Sequence, residues 1–178
     1  MQHDLSDAVA ALTTAGIADP ARVCIVGGSY GGYAALAGAV FTPDLYRCAV
    51  AIAGVSDVEE LIELVENRYG RRHWLGAGSA DRFTGEGDQS LADAMRAISP
   101  ANFAENAQAP ILLIHGRDDS VVPFSQSQIM QRALRREHKD VELVAVDNGD
   151  HWLTSTQMRR EVYGALETFL AEHIGEQP

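Results

Sequence analysis

The chain has 178 residues, enough for one domain with a sizeable core, and 46% hydrophobic against 22% charged residues is ordinary globular composition. A formal net charge of −11 repels phosphate backbones and sets nucleic acid aside as a partner. No apolar run has the length to cross a membrane and no segment reads as a signal peptide, so a membrane is not expected and a cytoplasmic location is.

Short apolar, β-branched runs alternate with longer amphipathic ones, the pattern of a parallel sheet covered by helices. The first helix is expected over residues 4–15, with Leu5, Ala8, Val9 and Leu12 on one face and Gly16 as its stop. Arg22 to Val26 reads as the first strand, followed by a Gly-rich turn, a helix of small residues from Gly31 to Phe41, and a second strand from Cys48 to Ala53. Ser56 and Glu59 have capping-box spacing ahead of a helix whose apolar stripe is Val58, Leu61, Ile62 and Val65. Gly76 to Ser90 reads as a surface loop and Leu91 to Ile98 as a short helix. Ile111 to His115 is the third strand, Pro123 opens a helix to Arg136, and Val141 to Val146 is the fourth strand. The last helix, Thr156 to His173, is expected to bury Val162, Leu166, Phe169 and Leu170, with Thr154 and Gln157 spaced as a cap. The fold class is therefore α/β, about four parallel strands with flanking helices. The first strand is apolar on both faces, which suits the middle of a sheet.

Cys24 and Cys48 each lie within an apolar run, Val23-Cys24-Ile25-Val26 and Cys48-Ala49-Val50-Ala51-Ile52, and are expected as buried free thiols. No C-x-x-C or H-E-x-x-H occurs and the six histidines are scattered, so neither a metal nor a cofactor is expected.

Gly27-Gly28-Ser29-Tyr30-Gly31-Gly32 sits between a strand and a helix and contains G-x-S-x-G, the nucleophile elbow. So tight a turn calls for glycines two before and two after the serine, and it projects the hydroxyl at the start of a helix whose dipole favours developing negative charge. A Gly-rich turn of this kind can also cradle a phosphate, but G-x-G-x-x-G is not met, because Ser29 stands where that register needs glycine. A serine nucleophile needs a base, and the base a carboxylate to fix its tautomer. The third strand ends in His115-Gly116-Arg117-Asp118-Asp119 and the fourth leads into Asp147-Asn148-Gly149-Asp150-His151-Trp152. Serine, aspartate and histidine thus follow in the order an α/β-hydrolase requires, with two aspartates competing.

The chain also resembles the prolyl oligopeptidase family of serine peptidases, which includes acylaminoacyl and dipeptidyl peptidases. The resembling pieces are Asp19-Pro20-Ala21-Arg22-Val23 ahead of the Gly-Gly-Ser-Tyr-Gly-Gly-Tyr run, Ser99-Pro100, Pro110 to Gly116, Val122-Pro123, and Gly149-Asp150-His151-Trp152. The pattern H-G-x-x-D-x-x-V-P implies Asp119 as the catalytic aspartate, Asp118 as a neighbour on the loop, and His115 as structural. The resemblance also implies an oxyanion hole using the Tyr30 N–H, and an aliphatic substrate pocket made of Tyr30, Val55, Val58, Leu61, Val65 and Val121. The implied activity is peptide-bond hydrolysis of short peptides through Ser29, Asp119 and His151. A carboxylesterase acting on small esters and a fragment inactive without its other half are the alternatives.

Family members carry further strands, and usually a β-propeller, before the region that these residues match. The expectation is therefore a single partial α/β-hydrolase domain over residues 1–178, the C-terminal portion of the fold with its N-terminal strands absent and no propeller. The second oxyanion donor would come from the absent region. The apolar edge at Arg22–Val26 would then pair with another copy or with a separate chain holding the missing half, or would drive aggregation.

Overall fold

The computed structural model describes residues 2–70 and 90–175. The loop expected from Gly76 lies outside the described residues, up to Ser90, which caps the helix that follows it. Among the described residues the helices are α1 (Gln2–Thr14), α2 (Tyr30–Phe41), α3 (Val58–Tyr69), α4 (Leu91–Ala97), α5 (Ser125–Arg136) and α6 (Thr156–Ile174). The strands are β1 (Cys24–Gly28), β2 (Cys48–Ile52), β3 (Ile111–Gly116) and β4 (Val141–Val146), all parallel and in the order β1-β2-β3-β4.

Side chains alternate between the two faces of this sheet. Ala49, Ala51, Ile111 and Leu113 meet Leu36 and Val40 of α2 and Met130 and Leu134 of α5 in one buried cluster. Cys48, Val50, Leu112, Ile114 and Val146 face the other way, onto Met158, Val162 and Phe169 of α6. All six positions of β3 are buried, and each of its aliphatic side chains contributes about 1.5–3 kcal/mol. That two-sided burial is why β3 reads as a continuous apolar run.

Several local expectations are corrected. Cys24 and Cys48 are joined in a disulfide, because they are register partners on β1 and β2 with Cα atoms 4.6 Å apart. Their apolar runs predicted the surroundings, but the pairing is a property of the sheet. Arg22 belongs to a 3-10 turn opened by Pro20 and capped by Asp19, and pairing with β2 carries the first strand on through Gly28. The first strand, apolar on both faces, does leave the open edge expected of it: among the described residues it lies at the sheet's edge, with none of its positions buried and Val26 42% exposed. No residue of α1 is buried, and Leu12 is exposed.

Two helix caps also fall one residue later than expected. Asp57 accepts from the Glu60 N–H at 3.1 Å, and Ser155 from the Met158 N–H at 3.1 Å. Ser56 is recruited elsewhere: fully buried, it donates its hydroxyl to the Gln126 carbonyl at 2.6 Å. Gln126 in turn accepts at Oε1 from the N–H groups of Ser56 and Asp57, both at 2.8 Å, and donates from Nε2 to the Asp57 carbonyl at 3.0 Å. One buried amide thereby fixes the β2–α3 connection to α5.

Candidate active site

The candidate groups lie at the C-terminal ends of β1, β3 and β4, on one edge of the parallel sheet. Ser29 is the single residue between β1 and α2, with φ 55° and ψ −118°. Such a conformation costs a non-glycine residue about 1–3 kcal/mol and persists only where the surroundings determine it. Here they do: the Ser29 N–H donates to the Ile52 carbonyl at 2.8 Å, and its carbonyl accepts from Tyr33 at 3.0 Å.

Asp119 is 8% exposed on the loop after β3. Its Oδ1 accepts from the Val121 and Val122 N–H groups, each at 2.8 Å, and its Oδ2 lies 2.7 Å from His151 Nδ1. Burial pushes the carboxyl pKa up, but the His115 ring 3.4 Å away and the hydrogen bonds from His151, Val121 and Val122 together hold it below the ordinary 3.8. Asp119 is thus ionised at neutral pH. It adds stability above the ordinary carboxylate range that is lost as pH falls through its depressed pKa. An ionised carboxylate only accepts, so His151 Nδ1 carries the proton, leaving Nε2 to accept from Ser29 Oγ at 3.0 Å. Asp118 is exposed, and its backbone N–H donates to the Gly149 carbonyl at 2.9 Å.

The aspartate and histidine loops are pressed together backbone to backbone. A Cβ on Gly149 would lie 2.6 Å from the Gly116 Cα, and one on Gly116 would overlap the Gly149 carbonyl. Asp150 staples the turn that carries His151 by accepting from the Trp152 N–H at 2.9 Å and from the Thr154 side chain. Thr154 serves this turn instead of capping α6.

The expected pocket residues divide. Ser29 opens onto a cavity of about 400 Å³ lined by Gly28, Ile52, Ala53, Val121, His151, Trp152, Leu153 and Tyr163. Of the six expected pocket residues, Val121 alone lines it among the described residues. Val58 packs with Ile62 and Met95, with Val55 against them, while Val65 lines a separate hollow beside Val121. Leu61 is half-buried on α3. The Tyr30 ring stacks on Tyr33 at 5.9 Å, above a different hollow, while its backbone N–H opens α2 next to Ser29. Of the three expected pocket residues on α3, Val58 thus packs inward, while Val65 faces the hollow it shares with Val121.

The model of the prolyl oligopeptidase family matches residues 1–177. The chain belongs to the prolyl oligopeptidase family. Dipeptidyl peptidase family member 6 of Caenorhabditis elegans is 33% identical over 182 residues, which cover 98% of this chain and 23% of that protein. A puromycin-hydrolysing peptidase from Mycobacterium tuberculosis superposes with a TM-score of 0.73 at 28% identity, over 96% of this chain and 25% of that one. An acylaminoacyl peptidase bound to Z-Gly-Gly-Phe-chloromethyl ketone gives 0.76 at 24% identity, over 95% of this chain and 26% of that one, a likeness of fold. The chain thus spans about a quarter of the length of the curated relatives it matches. The four-stranded sheet and its helices are the corresponding portion of an α/β-hydrolase fold.

Sequence reasoning missed Ile52, Ala53, Leu153 and Tyr163, which reach the cavity through sheet position and loop path. The sequence offered one signal, an aromatic Trp152 directly after His151; in the structure Trp152 and Tyr163 are 73% and 56% exposed. The two elbow glycines of this family member, alike in the motif, differ in their surroundings. A Cβ on Gly27 would overlap the Gly31 carbonyl, whereas one on Gly31 meets nothing within 4 Å. Gly27→Ala is expected to cost about 1–3 kcal/mol in urea unfolding. Gly31→Ala, inside a helix, is expected to be neutral or stabilising by up to about 1 kcal/mol. Equal effects would contradict this reading of the elbow.

Proposed function

We propose that this chain carries the catalytic triad of a serine peptidase that hydrolyses peptide bonds of short peptides. The observation that supports this reading is the continuous hydrogen-bonded chain Ser29–His151–Asp119, with 3.0 and 2.7 Å links. Ser29 Oγ attacks the scissile carbonyl as His151 Nε2 takes its proton. Asp119 holds the His151 tautomer and stabilises the imidazolium. The oxyanion forms beside the Tyr30 N–H, at the positive end of α2. His151 returns the proton to the leaving amine, the C–N bond breaks, and water then hydrolyses the acyl ester on Ser29 by the same proton route. The apolar cavity around Val121, Trp152 and Leu153 favours an uncharged side chain next to the reacting carbonyl. The names of the relatives, dipeptidyl and puromycin-hydrolysing peptidases among them, favour small amides over proteins.

The exposed β1 edge, with Val26 open to solvent, supports a second element of the proposal. The chain pairs that edge with another copy or with a separate polypeptide. Light scattering at micromolar concentration is expected to show a species larger than 19.2 kDa, and a clean monomer would count against self-pairing.

The activity test is hydrolysis of N-acylaminoacyl and dipeptidyl anilides beside p-nitrophenyl esters. The expected result is anilide hydrolysis that falls at least about 10³-fold in both Ser29→Ala and His151→Ala. Ester turnover without anilide turnover would replace the peptidase reading with a carboxylesterase. Turnover unaffected by either substitution would overturn the triad assignment, and a folded chain without turnover would support a piece that needs its partner polypeptide.

A further inference from the structure

His115 is fully buried at the end of β3, and the triad chemistry does not use it. Its ring nitrogens are nonetheless both engaged: Nδ1 lies 2.7 Å from Ser127 Oγ on α5, and Nε2 lies 2.9 Å from the Val122 carbonyl. A carbonyl can only accept, so Nε2 carries a proton, and in that tautomer Nδ1 accepts a hydrogen bond from the Ser127 hydroxyl. The Nε2 atom also lies 3.4 Å from Asp119 Oδ2, the oxygen that receives the His151 N–H. The Val122 whose carbonyl His115 holds is the same residue whose N–H clamps Asp119 Oδ1. His115 thus reaches the carboxylate by two routes, once through the loop and once directly.

We propose that His115 is a positioning residue for Asp119, with Ser127 setting its tautomer so that the Nε2–H holds the 119–122 loop and shares the oxygen that orients His151. The inference rests on the serine hydrolase reading for its purpose, though not for its geometry. Polar contacts to Asp119 come from His115 on β3, from His151 on the loop after β4, and from its own loop. The nearby Arg117 pairs with Asp147 at 2.8 Å, on the exposed side of the same loops.

The test is a titration of the Asp119 carboxyl carbon by NMR in the native chain and in three variants. His115→Phe keeps a ring of similar shape and removes the donor, so the Asp119 midpoint is expected to rise. His115→Gln restores an N–H donor near the Nε2 position and is expected to return the midpoint towards the native value. Ser127→Ala, outside the proposed triad, frees the tautomer and should shift the midpoint part of the way, which keeps the test decisive if the phenylalanine variant does not fold. Midpoints unchanged across the variants, or equal shifts for Phe and Gln, would overturn the proposal and leave His115 a packed core histidine. The anilide assay judges the hydrolase reading separately, since a native chain without turnover can still show the Asp119 shift.

Discussion

A carboxylate buried to 8% exposure is tolerated only if its charge is answered by donors, and the geometry at the end of this sheet follows from that requirement. Asp119 is met by the amides of Val121 and Val122 at one oxygen and by His151 and His115 at the other. Those donors come from the loop after β3, the loop after β4 and the end of β3 itself. Satisfying one charge therefore fixes three segments relative to each other. The outcome is a carboxylate held below its ordinary pKa and an imidazole whose free nitrogen points at a serine hydroxyl.

The serine is brought to that point by backbone geometry. The positive φ of Ser29 is sustained by its hydrogen bond to the end of β2 and by the close approach of Gly27 to Gly31. The Gly116–Gly149 contact does the same for the two partner loops. Because the strands are parallel, all three loops emerge on one edge, and residues 122 and 32 positions apart in sequence come into hydrogen-bond contact. Beneath this edge, the two apolar clusters and the Gln126 bridge to the β2–α3 connection supply the rigid support.

Much of this was legible because it is written in local pattern. Val141 to Val146 was delimited to the residue, since a run of β-branched and apolar residues broken only by the exposed Glu142 lies between Asp140 and Asp147. The order and loop placement of Ser29, Asp119 and His151 were readable from motifs that follow strands. What was not readable depends on register and on distant partners. The Cys24–Cys48 disulfide needs the β1–β2 alignment, and Ser56 was lost as a cap to Gln126, 70 residues away. Val58 and Val65 show the apolar spacing of a pocket wall, but the same spacing describes a helix packed on a core, and periodicity alone does not separate the two. The family pattern implies a structural His115, and no local motif tells that its Nε2 lies 3.4 Å from the Asp119 oxygen that receives the His151 N–H.

The central claim is that the three loops assemble a working nucleophile in this chain. Reaction of the purified, folded protein with a fluorophosphonate, followed by peptide mass mapping, tests it most directly. The account predicts a single adduct on Ser29, formed at least about 10²-fold more slowly in His151→Ala and slowed in Asp119→Asn. An adduct at another residue, a native labelling rate in His151→Ala, or no adduct in a folded chain would contradict it.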